Sequence, residues 1–171
     1  MQQTKNNIPL KTRIQVVSYL NLRLADCLDL GTQAKEAHWN VKGTSFHTLH
    51  LLFDDIAEDI EGYADAIAER LVQLGGVARG TARDTAANSV LNEYPFDIHS
   101  GEEHTAAFSS VLAAFGAIAR EGIADCNAFG DADSADIFTE ISRGIDKWLW
   151  MVEAHLQPSE PETQQEITNA S

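Results

Sequence analysis

Four long stretches of the chain repeat apolar residues at the three-and-four spacing of a buried helix face. Val17, Leu20, Leu24, Cys27, Leu28 and Gly31 share one side of a first helix that starts near Pro9. "NVKGTS" interrupts it and offers Thr44 and Ser45 as N-caps. Leu49, Leu52, Phe53, Ile56, Ile60, Tyr63, Ile67, Leu71 and Leu74 then mark a second helix. It ends at "LGG", where Gly75 or Gly76 can adopt a left-handed conformation. In "SGEE", Ser100 and Glu103 stand at capping-box spacing and open a third helix with Phe108, Val111, Leu112, Phe115 and Ile118 as its stripe. A fourth follows "GDADSAD", runs through Ile137, Ile141, Ile145, Trp148, Val152 and His155, and stops at Pro158. No stretch carries the alternation of a strand.

About 25 residues, from Gly75 to Ser100, join the second and third helices, and "TARDTAANSVL" within them has the composition of a short helix. Two short connections and one long crossover predict an all-α fold, a ferritin-like four-helix bundle with a short helix in its crossover. The expected organisation is a mobile N-terminal arm over 1–8, the bundle over 9–157 and a mobile polar tail over 158–171.

At 171 residues the chain is the size of one domain. Its 26 acidic against 12 basic residues give a formal net charge of -14, which attracts cations and repels nucleic acid phosphates. The polar N-terminus resembles no signal peptide, and no apolar run approaches membrane-spanning length, so a cytosolic location is expected. Cys27 and Cys126 fall in helix interiors and read as buried free thiols.

Beside the apolar stripe of the second helix runs a line of metal-competent side chains: His50, Asp54, Glu58, Glu61, Asp65 and Glu69. A solvated face accounts for the acids alone. His50 and Asp54 are four apart, as are Asp65 and Glu69, so each pair shares a helix face. The pairs are separated by about 22 Å along the helix, too far for one ion. Two copies of this helix packed antiparallel about an axis near Asp59 and Ile60 set each pair against the other pair of the partner. Two equivalent intersubunit sites about 20 Å apart result. With His38 from the end of the first helix, the donor set is two imidazoles and three carboxylates, suited to iron, manganese or zinc.

"AHWNVKG", the His50-to-Asp54 segment, "DAIAERLVQLGG" and "YPFDIH" together resemble the Dps family of mini-ferritins over roughly residues 10 to 157. The resemblance implies a hollow twelve-subunit homo-oligomer with dinuclear ferroxidase sites at its two-fold interfaces. Fe(II) would be oxidised there, preferably by hydrogen peroxide, and the Fe(III) mineral stored inside. By position, His38, His50 and Asp54 come from one subunit and Asp65 and Glu69 from its partner, with Trp39 near the site absorbing stray oxidising equivalents. Zinc is the competing occupant of the same donors.

The resemblance also places acids such as Asp131, Asp136 and Glu140 around three-fold pores, although helix capping explains Asp131 to Glu140 as a group. Asp55, Glu58 and Asp59 are candidates for mineral nucleation. His47, His99, His104 and His155 fall off the ligand pattern. Many family members bind DNA through a lysine-rich arm, but the first 13 residues here hold only Lys5, Lys11 and Arg13, so DNA binding is expected to be weak or absent.

Overall fold

The computed structural model describes residues 1–157. The tail expected over 158–171, with Pro158, lies outside the described residues. Five helices follow in order: α1 (Leu10–Asn40), α2 (Phe46–Gln73), α3 (Ala82–Asn88), α4 (Gly101–Phe129) and α5 (Ala132–Glu153). α1 packs along α2 and α4 along α5, with α1 also meeting α4, and α3 is the short helix of the crossover. Among the described residues there is no strand.

The core is the shared product of the four stripes. Leu20, Leu30, Phe53, Ile56, Ile60, Phe108, Phe115, Phe138 and Ile145 are all sealed from solvent. Phe53 and Phe108 meet edge to face at 5.5 Å between ring centres, tying the α1–α2 pair to the α4–α5 pair. Contrary to the sequence expectation, α4 is long and apolar enough to cross a membrane by length and composition alone. Its apolar residues Phe108, Leu112, Phe115 and Ala119 are buried in the bundle, which accounts for them.

Local signals set the helix ends unevenly. The α4 capping box forms in full, Ser100 accepting from Glu103 N while the Glu103 carboxylate accepts from Ser100 N at 2.8 Å. Gly75 takes the left-handed conformation after α2, at φ 88°. At α2's start neither expected cap acts: Ser45 holds the N-cap position without a side-chain bond. α5 begins earlier than expected because Asp131 caps it, accepting from the Ser134 hydroxyl at 2.6 Å, and it ends at Glu153, before His155.

The crossover is held by polar contacts from α1. Asp26, fully buried, accepts from Val90 N at 2.9 Å, Asp29 from the Ser89 hydroxyl, and Gln33 donates to Asn92 O at 3.0 Å. Burial pushes the Asp26 carboxyl up, and the Val90 bond and nearby Arg23 pull it back. Arg23 Nε stands 2.9 Å from Asp26 Oδ2, an ion pair without hydrogen-bond alignment. The arm over 1–8 meets the end of α2, where Gln2 N donates to Gly75 O at 2.7 Å, and from α1 Arg13 Nη1 donates to Leu74 O at 3.0 Å.

Two outcomes follow from these contacts. A Cβ on Gly122 would lie 2.7 Å from the Phe138 ring, so Gly122→Ala should cost about 1–3 kcal/mol in denaturant unfolding. Helix-end hydrogen bonds hold Glu103 at about 2, below its ordinary 4.5. Its contribution is therefore present above about pH 4.5 and lost as pH falls toward 2, and the stability gap between wild type and Glu103→Gln should close over that window.

Candidate metal centre

α1 ends and α2 begins on either side of a tight connection containing Gly43, at φ 103°, which brings His38 and His50 face to face. Their rings stack with centres 3.7 Å apart. Each imidazole bonds to the other's backbone: His38 Nδ1 to His50 O at 2.7 Å, and His50 Nδ1 to His38 O at 2.8 Å. A carbonyl can only accept, so both Nδ1 atoms carry hydrogen. The tautomer that this bonding selects keeps its lone pair on Nε2, the orientation that metal-binding histidines obtain from a hydrogen-bond partner behind them.

Asp54 stands one turn after His50, half-exposed, with Oδ1 3.8 Å from His38 Nδ1. Lys35, one turn before His38, donates to that carboxylate. This bond, with the Lys35 charge and that of His38 and His50 when they are protonated, holds the Asp54 carboxyl below its usual range. Lys35 was not anticipated from the sequence, although its three-residue offset from His38 puts both on one face of α1. Phe46, also unanticipated, packs against His50 with ring centres 5.1 Å apart.

Asp54 and Lys35 border a groove of about 840 Å³ between α1, α2 and the crossover, whereas His38 and His50 do not line it. Trp39 lies on its wall with Glu36, Glu58, Tyr94 and Phe96, and Trp39 itself is 66% exposed. Asp65 and Glu69 are not brought to these residues within one protomer. Both are exposed further along α2, and neither forms an ion pair among the described residues. Among the described residues no three His, Cys, Asp or Glu side chains of a single chain converge tightly enough to hold an ion.

The remaining candidates divide by environment. Asp131 is 2% exposed, its carboxylate bonded to Arg70 Nη2 at 2.6 Å and to Ser134, whereas Asp136 and Glu140 are exposed. Asp55 is exposed, Glu58 lines the groove, and Asp59 accepts from Trp148 Nε1 at 2.8 Å. His47 and His155 are exposed, His99 N donates to Glu103, and His104 is buried against Tyr94. Cys27 and Cys126 are buried free thiols, burial pushing Cys27 well up and Cys126 up to about 12, which keeps both unreactive.

Comparison with known proteins gives a consistent set of likenesses. The family described as "Ferritin-like domain" matches residues 17–159. A DNA protection during starvation protein of Agrobacterium fabrum is 39% identical over 155 residues, spanning 91% of this chain and 96% of the relative. A protein of the same name from Streptococcus suis is 32% identical, covering 80% of each. The structure superposes on Mycobacterium smegmatis Dps with a TM-score of 0.88 at 27% identity, covering 94% of this chain and 98% of that one.

A cation bound at Asp54 would compete with Lys35 for the carboxylate. Lys35→Met should therefore tighten cobalt(II) binding several-fold, read from the visible absorbance of the metal during titration, whereas His38→Ala should weaken it.

Proposed function

Because the chain belongs to the ferritin-like family of Dps proteins, we propose that it takes up Fe(II), oxidises it at sites shared between two subunits and stores the ferric product in a shell. The observation that carries this reading is the reciprocal His38–His50 exchange, which engages both Nδ1 atoms with carbonyls and leaves Nε2 of each stacked ring as the nitrogen able to bind a metal, on rings neighbouring the Asp54 carboxylate. His38, His50 and Asp54 are one half of the site. Asp65 and Glu69 of the partner subunit, exposed and without intrachain ion pairs, are the other half. The antiparallel pairing of two α2 helices supplies both halves twice, within a homo-oligomer of twelve.

Iron here is substrate. The carboxylates balance the charge that grows as Fe(II) becomes Fe(III), and the imidazoles bind without adding charge. Two ions held together pass two electrons to hydrogen peroxide. Two Fe(II), one peroxide and two protons yield two Fe(III) and two waters, with no radical released. Lys35 leaves Asp54 as iron enters, its ammonium being the cation that the ion replaces. We assign Asp136 and Glu140 to the Fe(II) entry pores on the family resemblance, with Asp131 serving there through its Arg70 bond rather than as a free carboxylate. Asp55, Glu58 and Asp59 are the proposed nucleation acids, and the setting is the cytosol.

DNA protection is named in the relatives, yet a net charge of -14 and an arm bonded at Gly75 oppose phosphate binding by this chain. Zinc suits the same donors and would hold them without turnover.

Loading the metal-free protein anaerobically with Fe(II), adding peroxide and following ferric absorbance tests the assignment. Asp65→Ala with Glu69→Ala should slow the fast phase by at least the ~10–100-fold that disturbing a ligand's supporting bond costs. Equal, slow oxidation in both proteins would remove the intersubunit site and bring a zinc-bound or purely structural assembly forward.

A further inference from the structure

One buried polar pair takes no part in this chemistry. Tyr94, in the crossover, is 4% exposed and lines the groove that holds Asp54 and Trp39. Its hydroxyl lies 2.9 Å from Nδ1 of His104, which is 2% exposed on the first turns of α4, and the two rings are nearly parallel at 18°.

Hydrogen accounting fixes the direction of that bond. His104 Nε2 is buried with no partner among the described residues. Were His104 the donor, the phenolic hydrogen would also be stranded, leaving two unpaired groups instead of one. Tyr94 therefore donates, and His104 Nδ1 is the base. Burial lowers the His104 pKa, keeping the ring neutral and ready to accept, and raises that of Tyr94, so the phenol does not lose its proton alone. Glu36, on the groove wall, favours a protonated His104 by its charge. Tyr19 lacks such an arrangement, its buried hydroxyl having no hydrogen-bond partner among the described residues.

We propose that Tyr94 and His104 are a redox-active pair that removes one-electron oxidants, of the hydroxyl-radical class, from the groove. The oxidant takes one electron from the Tyr94 ring as the phenolic proton moves to His104 Nδ1, leaving a neutral tyrosyl radical and an imidazolium. The hydroxyl radical becomes hydroxide and, with a solvent proton, water. One Fe(II) then returns the electron, becoming Fe(III), and His104 returns the proton. The net change is one Fe(II), one hydroxyl radical and one proton to Fe(III) and water. The oxidant is the radical formed when a single Fe(II), outside the paired site, reduces peroxide to hydroxide and a hydroxyl radical; the pair rests on the proposed function only for the presence of Fe(II) and peroxide, and its test needs no iron.

The test is flash oxidation of the metal-free, full-length protein with photoexcited ruthenium tris-bipyridine and a sacrificial acceptor, read by electron paramagnetic resonance. Wild type should give a tyrosyl signal that Tyr94→Phe loses and that a Tyr19→Phe, Tyr63→Phe variant keeps. His104→Gln, which accepts a hydrogen bond but not the proton, should slow radical formation roughly 100-fold. An undiminished signal in Tyr94→Phe, a signal of tryptophan origin alone, or no signal when Tyr94 is the last tyrosine overturns the pair. The last variant decides the matter even if Tyr94→Phe fails to fold. Ferric absorbance after peroxide addition, measured on the same preparation, reports separately on the iron reading.

Discussion

The exchange of hydrogen bonds between His38 and His50 joins two tasks that the fold otherwise keeps apart. His50 donates to the His38 carbonyl in the last turn of α1, where carbonyls lack intrahelical partners, and His38 donates in return to the His50 carbonyl near the start of α2. The same two bonds fix the tautomers. A residue that could replace one histidine as metal donor, such as a carboxylate, would not donate to that carbonyl. The geometry of the α1–α2 connection and the chemistry offered to a metal are thus set together, and the left-handed Gly43 between them permits the close approach.

The proposed site extends beyond one protomer. Each protomer presents His38, His50 and Asp54, an acidic groove and the exposed Trp39 on the flank formed by α1, α2 and the crossover. The opposite flank, where α4 packs on α5, carries none of these donors. Its polar centre is instead the closed Arg70–Asp131–Ser134 set, which reaches back from α5 to α2. Opening such a buried pair by removing one partner costs about 3–5 kcal/mol, so these residues anchor the start of α5 whatever else they border.

What the sequence disclosed depended on how local the governing interaction was. The capping box of α4 spans four positions and was legible as written. The four stripes that build the core were legible because burial repeats every turn. Asp26 was not, since an acid on an apolar helix makes sense only once Val90 N, 64 residues later, is seen to meet it. Lys35 escaped notice for the same reason, its partner Asp54 lying on the next helix. The α5 boundary was misplaced because "GDADSAD" offers three acids, of which Asp131 is the one buried and bonded to both Arg70 and Ser134. His38, His50 and Asp54 lie together, while their proposed joining to Asp65 and Glu69 would need a second chain.

α3 contributes no buried residue, and the crossover around it is fastened to α1 by three polar side chains, Asp26, Asp29 and Gln33, acting on Val90 N, the Ser89 hydroxyl and Asn92 O. This segment is therefore a graft held by anchors rather than a layer of the core. Evolution or a designer can exchange the sequence between those anchor points, altering what borders the groove, while leaving the four-helix scaffold unchanged.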